Sequence, residues 1–313
     1  MFRIVSSVLA VASLAGTALS QLENKPFLYD WGQIEQYGPL LRGIWQQDWN
    51  IVNFTTWDDV PDKRDQIPVA CTGAFDDWLA PFKSADFTVY EVLYNDCDQP
   101  FHLCYHKDVS QNTIGPIGMI YNWGLVPIGM RQYVGNAVVI PIPNDPNLPG
   151  RTAHQAGPSV VFQEDFFVRW SVIAHELSHS VDMYKSSTPG LRFSESAEWR
   201  TAVGDDSHLS SVYGRSNYVE EFAEIGIMAA YDIGSEGRLP DVEPDWTKVE
   251  HQLDFVTKVF GTDLMLGRTG CPAKVGSTYS VPKSDEVGAR VQLPEGTELF
   301  TPTEPYPDST KAK

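Results

Sequence analysis

The chain has 313 residues and a formal net charge of −18 at pH 7. Such an acidic surface makes nucleic acids and anionic membranes poor partners, so we expect neither. The length suits one large domain, or one catalytic core with a terminal extension.

The first 20 residues have the features of a secretory signal. Arg3 precedes an apolar run from Ile4 to Ala15, and small residues end at Ser20. The run is shorter than the roughly 20 apolar residues of a membrane-spanning helix, and no later segment approaches that length. We therefore expect a secreted, extracellular protein without a membrane span, either free or associated with the cell wall.

Export would oxidise the cysteines and expose the chain to glycosylation. Four cysteines fit two disulfides, and three pairings are formally available. Cys97 and Cys104 would close a short loop, which leaves Cys71 for Cys271. The sequon that begins at Asn53 predicts an N-glycan.

Strands dominate the first half of the predicted structure. Residues 21–85 form a tryptophan-rich segment that we expect to pack on the core or to precede it. Residues 86–95 have the composition of a strand, and apolar or β-branched runs predict three more at 114–121, 125–141 and 158–163.

Helices dominate the second half. Apolar residues with a 3.6-residue period predict helices at 164–184, 217–232 and 245–260, the last ending at Gly261. Residues 272–313 are rich in proline and charge, and we expect an extended or disordered tail. Strands followed by helices indicate an α+β fold.

The helix at 164–184 carries a metal-binding pattern. His175 and His179 are four residues apart, so one helix face presents both imidazoles to one ion. Glu176 lies beside them and is the predicted general base for a zinc-activated water. Apolar neighbours indicate that this helix is buried, where two histidines need a partner.

A catalytic zinc has three protein ligands, so the third must come from elsewhere in the chain. Metzincins are excluded, because Asp182 and Lys185 stand where that pattern needs glycine and histidine. Glu220 is the preferred ligand, since Glu224 follows one turn later and can orient a histidine ligand. Alternatively, Glu220 forms a capping box with Asn217.

Two other zinc or histidine patterns are weaker. The aspzincin pattern needs a GTxD-type segment, and Gly261-Thr262-Asp263 is one residue too short for it. Histidines flank Cys104 at positions 102 and 106, but a disulfide-bonded cysteine cannot ligate as a thiolate. We expect His208 to lie on the surface or in the core. Alternatively, it faces the cleft, because it lies five residues before Tyr213.

The segment from Tyr213 to Asn217, followed by Glu220 and Glu224, resembles the zinc protease domain of anthrax lethal factor and its relatives. The whole chain is also similar to fungal conidiation-specific secreted proteins. The resemblance implies a zincin-like metalloprotease fold over residues 86–271, with a mixed or antiparallel sheet followed by active-site helices.

For the site, the resemblance implies one Zn²⁺ per chain on His175, His179 and Glu220. It also implies that Glu176 is the general base and that Glu224 contacts a ligand residue without binding the metal itself. Tyr213 would donate a hydrogen bond in the transition state. A tyrosine that only packs before a glycine turn is the alternative for the last. Asp182 either orients a ligand or pairs with a surface cation.

These features predict a monomeric secreted endopeptidase acting on a peptide or protein. The substrate would lie against an edge strand between residues 114 and 141. One alternative is a non-catalytic secreted or cell-wall protein with a zincin scaffold, and the intact Glu176 argues against it. Another is a carbohydrate-binding module, suggested by the tryptophans of residues 31–78.

Overall fold

A computed structural model describes residues 22–30, 33–46, 51–73, 79, 81–110, 112, 114–142, 153–165, 167–186, 190–265 and 267–286. Their strands are β1 (Phe27–Tyr29), β2 (Ile51–Thr56), β3 (Gln66–Pro68), β4 (Phe87–Tyr94), β5 (Phe101–His106), β6 (Asn136–Ile140), β7 (Ala153–Ala156), β8 (Ser159–Gln163), β9 (Leu209–Ser211) and β10 (Ser280–Pro282). Their α-helices are α1 (Tyr37–Trp45), α2 (Pro116–Leu125), α3 (Ile128–Arg131), α4 (Trp170–Tyr184), α5 (Ala197–Asp205), α6 (Tyr218–Gly234), α7 (Leu239–Val242) and α8 (Glu250–Phe260).

Six strands form one mixed sheet in the order β2-β4-β5-β6-β8-β7. The pairs β2/β4, β4/β5 and β7/β8 are antiparallel, whereas β5/β6 and β6/β8 are parallel. Two short pairs lie outside it, a parallel pair of β1 with β9 and an antiparallel pair of β3 with β10. The predicted α+β class is confirmed.

The two faces of the sheet support different cores, as the alternation along β5 shows. Phe101, Leu103 and Tyr105 belong to the large core shared with the helices. Cys104 points the other way, into a smaller core with Ile67 and Val281. The segment around β3 and the strand β10 therefore cover the back of the sheet, and the helices cover the front.

The strands predicted at 86–95 and 158–163 are confirmed, and the one at 114–121 is wrong. Most of that run lies in α2, which begins with Pro116 in its first turn, where proline is tolerated, and which buries side chains at helical spacing. The run at 125–141 contains α3 before β6. Most neighbouring residues in these runs are apolar, which hides the difference between helix and strand periods.

The predicted helices are present, with later beginnings for the first and third. The helix α4 starts at Trp170, because the chain is still attached to the sheet at Glu164, whose N–H donates to the Ile140 carbonyl. A 3₁₀ turn at Trp246–Val249 precedes α8, which ends before Gly261 at a positive φ of 58°. Within the described residues, no helix is long and apolar enough to cross a membrane.

Two disulfides are present, but the expected pairing of Cys97 with Cys104 and of Cys71 with Cys271 is wrong. The bonds join Cys71 to Cys104 and Cys97 to Cys271. Cys104 lies in the core behind the sheet, whereas Cys97 lies in the core on the helical face. The sheet separates the two residues that are nearest in sequence.

Peptide mapping of the purified protein without reduction tests this connectivity. We expect one linked peptide pair containing Cys71 and Cys104 and a second containing Cys97 and Cys271. Because the sheet separates the two cores, a peptide with an internal Cys97–Cys104 bond would contradict this fold. A reduced sample is the control.

Candidate metal centre

The centre lies where α4 crosses α6, and these helices approach closely. A Cβ atom built on Gly226 of α6 would lie 2.2 Å from Oγ and 2.7 Å from Cβ of Ser178 on α4. Glycine is therefore required for this separation of the helices. The sheet strand β7 also packs against α4.

Three side-chain atoms converge between the helices. Nε2 of His175 is 3.1 Å from Nε2 of His179 and 3.1 Å from Oε2 of Glu220. Oε2 of Glu220 is 3.4 Å from Nε2 of His179. Ligands about 2.0–2.1 Å from a tetrahedral zinc are about 3.3 Å apart, so the spacing fits. All three side chains are buried.

Glu224 fixes the ring of one histidine from behind. Its Oε1 is 2.8 Å from Nδ1 of His175, and its Oε2 accepts a hydrogen bond from Ser211 Oγ at 2.6 Å. When Nδ1 carries the proton and donates it to a carboxylate, the lone pair of Nε2 points at the ion. This is the arrangement predicted for Glu224.

Glu176 is buried beside the ligands, with 5% of its surface exposed. Burial raises its pKa to about 8, and the nearby charge of Glu220 acts in the same direction. Its Oε2 atom has no hydrogen-bond partner among the described residues. Nδ1 of His179 is likewise buried without one. Both orphaned atoms belong to the predicted metal site.

The ligand residues shift one another's pKa values. Burial alone would lower the pKa of His175, but hydrogen bonds and charges from Glu220 and Glu224 raise it well above the usual value. Burial alone would raise the pKa of Glu220, but the charge of His179 and the bonds from both imidazoles hold it well below the usual value. The carboxylates thus favour positive charge at this point, and a divalent cation would supply it.

The capping alternative for Glu220 is half right. The Asn217 side chain does cap α6, accepting bonds from the N–H groups of Val219 and Glu220 at 2.9 Å. The side chain of Glu220 points away from the cap, towards the histidines. Its neighbour Glu221 turns to β9 instead, where it accepts bonds from the backbone N and the Oγ of Ser210.

Tyr213 lies next to the centre, with its ring 5.7 Å from that of His175 between centroids. The side chain is partly exposed, unlike the ligands. Asp182 takes neither of its expected roles. It accepts bonds from N and Oγ of Ser194 at 2.8 and 2.6 Å, so it fixes the segment that follows α4.

The expected substrate strand between 114 and 141 is wrong. The strand in that range, β6, is paired on both sides, and the edges of the sheet are β2 and β7. Of these, β7 adjoins the site, because the backbone N–H of Gln155 donates to Glu176. The sequence of β7 is short and lacks a strong alternating pattern, so the strand was not predicted.

The other residues considered in the sequence analysis lie away from this centre. His102 bonds to Glu91, and His106 packs on aromatic rings. His208 bonds to Ser207 and is not part of the centre. Asn53 is exposed on the edge strand β2, and Trp45 and Trp57 are buried. The predicted signal, Trp31, Trp49, Trp78 and residues 287–313 lie outside the described residues.

A second potential metal group among the described residues consists of Cys97, Asp98 and Cys271, but its cysteines form a disulfide. Sequence reasoning missed Ser211 and Gly226, which orient and space the ligand helices. A glycine inside a strongly apolar helix was a signal for close helix packing. The pairing of β9 with β1 is non-local and left no signal.

The chain is similar to proteins described as conidiation-specific. A sequence model of the family described as "Conidiation-specific protein Con-13" matches residues 68–261. Conidiation-specific protein 13 of Neurospora crassa is 30% identical over 148 residues, which cover 47% of this chain and 41% of that relative. The match thus spans less than half the length of the relative. No solved structure matches the chain.

Replacing Gly226 with alanine tests the helix separation. Although alanine favours a helix interior by about 1 kcal/mol, the clash with Ser178 costs about 1–3 kcal/mol and forces α4 and α6 apart. We expect both the free energy of unfolding and the affinity for zinc to fall. Urea unfolding and zinc titration measure them.

Gly204→Ala is the matched control, because a Cβ atom there meets open space. It should leave zinc affinity unchanged. Equal zinc affinity for Gly226→Ala and the wild type would contradict the role of this contact.

Proposed function

The chain belongs to the conidiation-specific protein Con-13 family, and we propose that it is a secreted zinc-dependent endopeptidase with a zincin-like catalytic domain at residues 86–271. One observation carries the proposal: His175, His179 and Glu220 bring their ligand atoms within 4.8 Å of one another at a buried helix crossing. Glu176 lies beside them, and its Oε2, which has no partner among the described residues, supplies the further group that hydrolysis needs.

Two imidazoles and one carboxylate are a donor set of catalytic zinc sites, which leave one coordination position open. When bound there, zinc polarises the scissile carbonyl and lowers the pKa of a water molecule. His175, His179 and Glu220 would hold it. Glu224 keeps His175 in the tautomer that can ligate.

The remaining chemistry belongs to side chains of this chain. Glu176 accepts the proton of the attacking water and returns it to the leaving amine, as a general base and then a general acid. Its free Oε2 is the accepting atom. Tyr213 donates a hydrogen bond to the developing oxyanion, a contact that strengthens only as charge appears.

The peptide substrate lies extended along β7, adding a strand to the sheet. Among the described strands, β7 pairs with β8 alone, so we place the peptide along its other edge. Gln155 of β7 also bonds to Glu176, which sets the general base beside the scissile bond. Secretion is supported by the signal-like first 20 residues and the two disulfides.

Glu176→Gln separates catalysis from metal binding. The amide keeps the size of the side chain but cannot accept a proton, so we expect peptide cleavage to fall about 10²–10⁴-fold with zinc content near one per chain. Cleavage of a broad peptide library and elemental analysis measure the two effects on purified mature protein.

Glu198→Gln is the control, because Glu198 is exposed on α5. His179→Ala should lose the zinc itself. A wild type that binds zinc but cleaves no peptide would favour the non-catalytic scaffold, and a wild type without zinc would refute both functions.

Tyr213→Phe tests the transition-state donor. Loss of one hydrogen bond to an oxyanion lowers kcat about 10²–10³-fold, and KM and zinc content should stay unchanged. Tyr90→Phe is the control, because Tyr90 lies on β4 in contact with Phe54. Unaltered kcat in Tyr213→Phe would assign this side chain a packing role.

A further inference from the structure

We propose that residues 22–46 are a permanent part of the metal centre, and not a propeptide whose removal activates the enzyme. The inference rests on the proposed zinc function. It follows from the way this segment is connected to the residues that orient the ligands.

The first connection is the parallel pairing of β1 with β9. Phe27 is in register with Leu209 and Tyr29 with Ser211. The backbone N–H of Leu209 donates to the Pro26 carbonyl at 2.8 Å, and that of Val212 donates to the Tyr29 carbonyl at 3.0 Å. The N-terminal strand therefore fixes the backbone of β9 on both sides of Ser211.

Ser211 is a junction for two parts of the site. Its Oγ donates to Oε2 of Glu224 at 2.6 Å, and Glu224 in turn holds His175. The same Oγ accepts a bond from the backbone N–H of Gly214 at 3.0 Å, directly after Tyr213. Ser211 is thus a positioning residue for both the ligand and the tyrosine.

A second contact from β1 reaches the tyrosine loop. The guanidinium carbon of Arg215 lies 5.1 Å from the centre of the Phe27 ring. Lys25, two residues earlier in the chain, donates to the carbonyls of Val203, Gly204 and Asp206, where α5 ends and the chain turns towards β9. The segment thus fixes the chain before and after β9.

The second half of the segment contacts both ligand helices. Glu35 accepts a bond from Ser171 Oγ at 2.8 Å, one turn before His175. Helix α1 packs on α4 and α6. Its Trp45 ring lies 5.8 Å from that of Trp170, and the ring of Tyr37 lies 5.7 Å from that of Tyr231.

The burial of the segment argues against removal. Leu22, Tyr37, Leu41 and Trp45 are at most 1% exposed and belong to the large core with α4 and α6. Loss of the segment would uncover this core as well as unpair β9. A propeptide that only blocks a cleft would not share its side chains with the core of the enzyme.

A pair of serine variants tests the junction. Ser211→Ala removes the bond to Glu224, and we expect zinc affinity to fall about 10–100-fold, as when other partners of a ligand are lost. Ser210→Ala removes an equally buried bond to Glu221 instead, and should leave the zinc Kd unchanged. Competition with a chelating dye measures Kd for zinc alone.

A cleavable full-length chain tests the segment. The recognition sequence of a site-specific protease is inserted after Gln46, and no cysteine lies before Cys71 to hold the fragment covalently. After cleavage we expect the fragment to stay bound during gel filtration, with zinc content unchanged. The protein as secreted should also retain residues 22–46 by mass spectrometry.

Release of the fragment under native conditions, with the remainder keeping its zinc Kd, would overturn the inference. So would equal zinc Kd values for Ser211→Ala and the wild type. A wild type that binds no zinc would refute the proposed function, whereas retention of the cleaved fragment is measured independently of zinc.

Discussion

The structure depends on the close crossing of two helices, α4 and α6. Gly226 lets Ser178 approach within a distance that no other residue would allow. At that separation, residues one turn apart on each helix face each other, so the pair His175 and His179 meets Glu220. The sheet supports α4 through β7, and α1 packs against both helices. The surrounding elements thus hold α4 and α6 in this arrangement.

The crossing buries several glutamates close together, and the environment of each carboxylate is different. Glu220 faces the imidazoles, whose charge and hydrogen bonds keep it ionised despite burial. The carboxylate of Glu224 forms one hydrogen bond with His175 and a second with the hydroxyl of Ser211. Burial raises the pKa of Glu221 to about 8, and the charge of Glu224 adds to the effect. Glu176 keeps a buried oxygen, Oε2, without a partner among the described residues.

The local parts of the site were predictable from the sequence because they depend on helix period alone. The spacing of His175 and His179, and of Glu220 and Glu224, determines which side chains share a face. Asn217 was predictable as a helix cap for the same reason. The disulfides, the β7 edge and the β1–β9 pair join distant segments, and spacing carries no information on them. The cysteine pairing was predicted from nearness in sequence, and it was wrong because the sheet separates Cys97 from Cys104.

The long separation of these partners also constrains the order of synthesis. Strand β1 pairs with β9, whose residues emerge from the ribosome about 10–40 s later at typical rates of elongation. Cys271 follows Cys97 by 174 positions, whereas Cys104 follows it by only a short loop. During translation, the non-native links of Cys97 to Cys71 and to Cys104 are therefore accessible before its native link to Cys271. Any such early bond would have to exchange before Cys97 could pair with Cys271.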